Sequence, residues 1–101
     1  MRDGFFDSKE FASRDGAPSP YGPMNVQPEL VDFLNQLRLR FGKPLIVTSG
    51  YRSPEHNKAV GGVANSYHTK GLAADICPMD AKDLNKLWQL ADSMNVTGGV
   101  G

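Results

Sequence analysis

The chain has 101 residues, and its eleven basic residues balance eleven acidic ones. That length predicts one domain, residues 1–101, with a modest core, and the balanced charge argues against a nucleic-acid partner, which would need a basic patch. No run of about eighteen apolar residues predicts a membrane span, and no signal peptide is evident at the start. The single cysteine, Cys77, excludes an internal disulfide, and we interpret it as a small apolar group.

The first part of the chain predicts a short capped turn, a long loop and one helix. Asp7 or Ser8 can cap a helical turn that contains Phe11. Residues 13–27 hold too many glycines and prolines for a regular element. Residues 28–41 predict a helix, because proline fits its first turn and Gly42 ends it. Its apolar stripe, which we assign to the core, is Leu30, Phe33, Leu34, Leu37 and Phe41.

A buried strand is predicted next, followed by a loop and a short helix. Residues 45–48 are rich in β-branched side chains, and the loop after them carries Arg52. The guanidinium is a planar, permanently charged fork that suits a carboxylate or an oxyanion; the alternative is a surface ion pair with Glu55 or another acid. Ser53 caps a predicted helix over residues 54–60, and we interpret His56 within it as a structural or rim residue.

Residues 66–75 form the centre of the predicted site. His68 and Asp75 flank a turn in which Gly71 is free to adopt a positive φ. A strand over residues 71–77 would place Asp75 on the face opposite Ile76. An imidazole nitrogen and a carboxylate oxygen are a normal pair of zinc ligands. The alternative is a surface histidine and a strand-end aspartate that never meet.

The last part predicts a helix and the start of a final strand. Asp80 resembles a helix cap, and the apolar stripe after it is Leu84, Leu87, Trp88, Ala91 and Met94. Together the elements predict an α+β fold, with helices packed on a small antiparallel sheet. Its strands are expected near residues 45–49, 71–77 and 96–101.

Two motifs carry a family resemblance. They are S-G-Y-R-S-P-E-H-N over residues 49–57 and S-x-H-x-x-G-x-A-x-D over residues 66–75. The combination resembles the zinc D-Ala-D-Ala carboxypeptidases, the M15 peptidases, which share a fold with hedgehog signalling domains. It is most similar to the small M15 domains of phage endolysins and bacterial cell-wall enzymes, and it runs from about Phe5 to the last residue.

The resemblance implies a function and a set of site residues. His68 and Asp75 would bind Zn²⁺, Arg52 would hold the substrate and the developing oxyanion, and Ser66 would lie beside the substrate. The activity implied is a zinc metallopeptidase that cleaves D-Ala-type bonds in peptidoglycan stem peptides. Such a protein would stay in the cytoplasm until released, and would then act at the cell wall.

One departure from the family pattern concerns the third zinc ligand and the general base, which the family takes from a late histidine and a nearby acidic residue. The only histidines here are His56 and His68, so the chain resembles a member that lacks its C-terminal strand. Glu55 and Asp83 are explained as acids at helix starts. An alternative function is therefore a non-catalytic peptidoglycan- or peptide-binding remnant of the same fold. A hedgehog-type signalling function would rest on the fold alone, which does not carry function.

The oligomeric state stays open at this point. Loss of a late strand would leave an exposed sheet edge, and such an edge can pair with another chain.

Overall fold

The computed structural model describes residues 1–62 and 66–94, and it confirms the α+β class. The strands are β1 (Arg2–Asp3), β2 (Phe6–Asp7), β3 (Leu45–Ser49) and β4 (Asp75–Pro78). The helices are α1 (Pro28–Phe41), α2 (Pro54–Ala59) and α3 (Leu84–Ser93). Turns of 3-10 helix span Ser8–Phe11, Tyr67–Lys70 and Ala81–Asp83. None of the helices so described is long and apolar enough to cross a bilayer.

The sheet that supports the predicted site is the antiparallel pair β3–β4. Val47 lies opposite Ile76, and the register shifts so that Ser49 then lies opposite Asp75. The sequence predicts that this strand starts near residue 71, but β4 begins at Asp75. Gly71 ends a 3-10 turn, and pairing with β3 starts where Asp75 lies opposite Ser49. The strand expected over residues 96–101 lies outside the described residues.

The strand β3 is buried on one face only, so the prediction of a buried strand holds for part of its side chains. Its side chains alternate, with Leu45 and Val47 in the core and Ile46 and Thr48 exposed. A two-stranded sheet packs one face on the helices, so side chains on the other face stay open unless something covers them. The result is a short two-stranded sheet, and the loop that follows β3 carries Arg52.

The core lies between α1, α3 and the inner face of the sheet. The bounds of α1 match the prediction, and Gly42 ends it in the left-handed conformation at φ 77°. The predicted stripe of α3 was wrong in part, since Trp88 is 52% exposed and Leu84 38%. Leu87 and Ala91 are buried, and Leu90 and Met94, the residue that follows α3, pack against the same core.

The N-terminal segment and the long loop after it are also anchored to the core. Phe6 and Phe11 are fully buried, with ring centroids 5.7 Å apart. Asp7 caps the turn that follows, in a reciprocal capping box with Glu10. Met24 is buried too. Residues 11–27 therefore lie over the core next to β3, close to the predicted site.

Candidate metal and substrate site

The histidine of the site is held by a short, well-capped turn. The Ser66 hydroxyl accepts a hydrogen bond from the backbone N–H of His68 at 3.2 Å, and the Thr69 hydroxyl donates to the Ser66 carbonyl at 2.6 Å. Gly71 ends the turn at φ 68°, a conformation that glycine adopts without steric cost. The spacing of the S-x-H-x-x-G motif is explained by this turn, which fixes the backbone beneath the imidazole.

The imidazole of His68 has a defined orientation. Its Nδ1 lies 2.8 Å from the carbonyl oxygen of Gly50, and a carbonyl can only accept, so Nδ1 carries the hydrogen. Nε2 lies 3.6 Å from Oδ1 of Asp75, and the ring is nearly buried. Histidines that bind metals characteristically donate their other ring N–H to a carbonyl or carboxylate in this way. The geometry therefore leaves Nε2 to face Asp75.

Asp75 is placed by the end of the sheet. The shift in register after Val47 brings its backbone opposite Ser49, and the Thr48 hydroxyl donates to its carbonyl at 3.1 Å. Irregularities of this kind re-aim side chains next to functional sites. Its carboxylate is about one-third exposed and is shared, with Oδ1 toward His68 and Oδ2 toward Arg52.

Arg52 joins the same group. Its Nη2 lies 3.6 Å from Oδ2 of Asp75, and its Nη1 donates to Oδ1 of Asn57 at 3.3 Å. Its backbone N–H also donates to the carbonyl of His68 at 3.1 Å. The acid at ion-pair distance is thus Asp75 and not Glu55. A guanidinium has five N–H donors, so donors remain for a ligand.

Ser66 lies beside this group but is largely buried. Its observed contact is the cap on the backbone of His68, which explains its place in the motif. The contact with a substrate that the resemblance implies stays a prediction, as do the ligand roles of His68 and Asp75.

Two residues of the site were not identified from the sequence. Gly50 supplies the carbonyl that orients His68, and a backbone acceptor leaves no signal in side-chain chemistry. Asn57 is buried beneath Arg52. Asn57 lies within the S-G-Y-R-S-P-E-H-N motif. A polar residue at that position on a short helix was the one feature of the sequence that could have identified it.

The two predicted metal ligands, His68 and Asp75, lie together, and the described part of the chain gives no third. No group of three histidine, cysteine, aspartate or glutamate side chains within residues 1–62 and 66–94 is arranged to hold a metal ion. Asp83 pairs with Lys43 at 3.0 Å, as expected of an acid at a helix start. His56 lies close to Asp15, whose pKa it helps to lower. The Nε2 of His68 and the carboxylate of Asp75 face each other, and both are groups of the kinds that bind zinc.

His68, Asp75 and Arg52 thus form one contact group at the end of the β3–β4 sheet. The family model for Peptidase M15 matches residues 3–101, so the chain belongs to that family. It is thus a peptidase-type domain, and the match covers both motifs. No curated protein and no solved structure matches the chain.

Proposed function

We propose that this protein is a zinc-dependent peptidase that hydrolyses D-Ala-type bonds in peptidoglycan stem peptides. The observation that carries the proposal is the orientation of His68, whose Nδ1 is bonded to Gly50 while Nε2 faces Asp75. The substrate class comes from the resemblance of the two motifs to cell-wall M15 enzymes. The site of action would then be the cell wall, and the partner a D-Ala-containing peptide.

The residues of the cleft have separate tasks in this proposal. His68 and Asp75 hold the zinc ion, which when bound supplies Lewis-acid chemistry at the scissile carbonyl and makes water more acidic. Arg52 directs its remaining N–H donors at the carbonyl oxygen, where negative charge develops in the transition state. Asn57 and Asp75 hold the guanidinium in place, so little orientation is lost when substrate binds. Ser66 fixes the backbone of His68.

A third ligand and a general base complete the proposal. Catalytic zinc sites generally have three protein ligands and one open position, and this sequence offers no histidine besides His56 and His68. We propose that the missing groups come from residues outside these 101. The domain as given would then be C-terminally incomplete with respect to catalysis, as the resemblance implies.

The test is the zinc content and affinity of the protein beside three variants. His68→Ala and Asp75→Ala should each abolish binding, whereas His56→Ala, the matched histidine control, should bind like the wild type. Hydrolysis of a D-Ala-D-Ala stem peptide is then assayed with and without a chelator. Zinc bound equally by the wild type and by His68→Ala would contradict the proposal.

A second candidate function is supported by the two-ligand arrangement. With no third ligand among the described residues, the cleft could bind peptidoglycan peptides without cleaving them. Arg52 would then contribute to affinity and His68 would not. Retention on peptidoglycan that is unaffected by chelator and by His68→Ala, but lost in Arg52→Ala, would favour the binding module over the peptidase.

A further inference from the structure

The loop that carries Arg52 is held from outside by residues 11–17, which we call the 11–17 segment. The backbone N–H of Tyr51 donates to the carbonyl of Phe11 at 2.9 Å. Gly50 lies so close to Phe11 that a Cβ at position 50 would be 2.5 Å from its Cα. The sheet ends at Ser49, so beyond that point the 11–17 segment replaces strand pairing as the support of the loop.

At the centre of this support is the carboxylate of Asp15. Its Oδ1 accepts from the Ser13 hydroxyl at 2.6 Å and from the backbone N–H of Ala17 at 3.1 Å, and its Oδ2 accepts from the Ser53 hydroxyl. Both serines are buried, whereas Asp15 is exposed. The hydrogen bonds from Ser13 and Ser53 lower the pKa of the Asp15 carboxyl to about 2, so it is ionised at neutral pH.

The charge on Asp15 decides which way both hydroxyls point. Each hydroxyl has one hydrogen, and each gives it to the carboxylate. The oxygen of Ser13 is then free to accept the backbone N–H of Ser53, and the oxygen of Ser53 accepts that of His56, both at 3.1 Å. An ionised carboxylate only accepts, so this direction of the hydrogen bonds is the one that satisfies every group.

The network reaches the site by two routes. Ser53 caps α2, and α2 carries Asn57, which holds Arg52. The same loop presents the Gly50 carbonyl to His68. We propose that Asp15 is a positioning residue, which acts through Ser13 and Ser53 to fix the orientation of Arg52 and His68. Its catalytic consequence rests on the proposed function, but its geometric consequence does not.

The discriminating variant is Asp15→Asn, which keeps the shape and removes the charge. The backbone N–H of Ala17 needs an oxygen at the position of Oδ1, so the side-chain nitrogen of the new asparagine takes the position of Oδ2. The hydroxyl hydrogen of Ser53 then faces a donor and has no acceptor. The matched control is Asp80→Asn, because Asp80 is also exposed and accepts a backbone N–H, that of Lys82, at 3.0 Å. Asp80 caps the 3-10 turn Ala81–Asp83, which packs on α3.

The readout is the pair of His68 ring nitrogen shifts, measured by NMR at neutral pH in zinc-free protein. In the wild type and in Asp80→Asn the Nδ1 shift should be that of a ring nitrogen that carries hydrogen, as the Gly50 bond requires. In Asp15→Asn the Nδ1 shift should move toward that of a bare ring nitrogen as the Gly50 bond is lost, and Asp15→Glu should restore part of the difference. Unchanged shifts in a folded Asp15→Asn protein would overturn the proposal.

Two further measurements keep the inference separate from the proposed function. Where the wild type hydrolyses a stem peptide, Asp15→Asn should lower kcat/KM about 10-fold, as loss of a supporting contact commonly does. Altered shifts together with zinc bound equally by the wild type and by His68→Ala would leave the positioning role intact and refute the zinc peptidase. If Asp15→Asn fails to fold, hydrogen exchange in the wild type tests the same role. The amides of Tyr51, Ser53 and His56 should then exchange through one common opening, and independent opening would refute the positioning role.

Discussion

The turn over residues 66–71 and the 11–17 segment support the same site in opposite ways. In the turn, the groups that hold one another are two or three residues apart, as with Ser66 and His68. In the 11–17 segment, Ser13 and Asp15 bond to Ser53, which is 40 and 38 residues away. A local turn leaves a motif in the sequence, whereas a support assembled from distant residues leaves none. The predictions below test how far the site depends on each.

The largest effect is expected at Arg52, where the two supports meet. Arg52→Lys keeps the charge but cannot bridge Asn57 and Asp75, because an ammonium lacks the planar fork. Loss of a positioned donor to a developing oxyanion costs about 100-fold in kcat or more. Where the protein hydrolyses a stem peptide, its kinetics check this, with the exposed Arg40→Lys as the control. Unchanged kcat in Arg52→Lys would mean that the guanidinium only neutralises Asp75.

Gly50→Ala should give the next largest effect, this time on stability. The new Cβ meets the backbone of Phe11 at 2.5 Å, and backbone cannot rotate away. Overpacking of this kind costs about 3 kcal/mol of unfolding free energy. Gly16→Ala is the control, since its position has φ +80° and no atom within 4 Å, so only backbone strain of about 1 kcal/mol is expected. Equal losses in urea unfolding would show that the contact with the 11–17 segment is unimportant.

The two serine caps compare the supports directly. Ser53→Ala removes the cap of α2 and a hydrogen bond to Asp15, which should cost about 2 kcal/mol, the upper end for a cap. Ser66→Ala removes only the cap of a 3-10 turn, and about 1 kcal/mol is expected. Chemical denaturation of both variants checks the order. A greater loss in Ser66→Ala would mean that the local turn is the stronger support.

The smallest effect is expected on the decrease of the unfolding free energy at acidic pH. Hydrogen bonds from Ser13 and Ser53 lower the pKa of Asp15 from 3.8 to about 2 in the folded protein. The stabilisation is therefore complete above about pH 4 and is lost as the pH falls from about 4 to about 2. Asp15→Asn should show a shallower decline of the unfolding free energy over that range. Parallel declines for the two proteins would contradict the charged network.

Elements with a clear hydrophobic period or with proline and glycine at their ends were predictable from the sequence. α1 begins and ends where Pro28 and Gly42 require, and the S-x-H-x-x-G-x-A-x-D spacing brings His68 and Asp75 together because the turn between them is local. Periodicity alone could not fix the rotation of α3, since Trp88 and Leu87 fit a helical stripe equally well and only packing decides which is buried.

Other features depended on tertiary contacts that no sequence pattern records. β4 starts at Asp75 because β3 offers a partner only there. Ile46 is exposed because the sheet has one packed face. The role of Asp15 depends on two hydroxyls, one of them 38 residues away. The sequence around Asp15 predicts only a loop, so nothing local indicated that role.

The long reach of the contacts to Ser53 has a consequence for how the protein acquires its site. Closing a 40-residue loop costs chain entropy before the contacts it brings together can stabilise the fold. Contacts between residues so far apart in sequence are therefore typical of slow folding steps. α1 and the 66–71 turn can form from nearby residues, but Arg52 is oriented only after residues 11–17 dock. A chain that is still folding would therefore carry both motifs without a working cleft. In refolding followed by pulsed hydrogen exchange, the Ser53 and His56 amides should gain protection after those of α1.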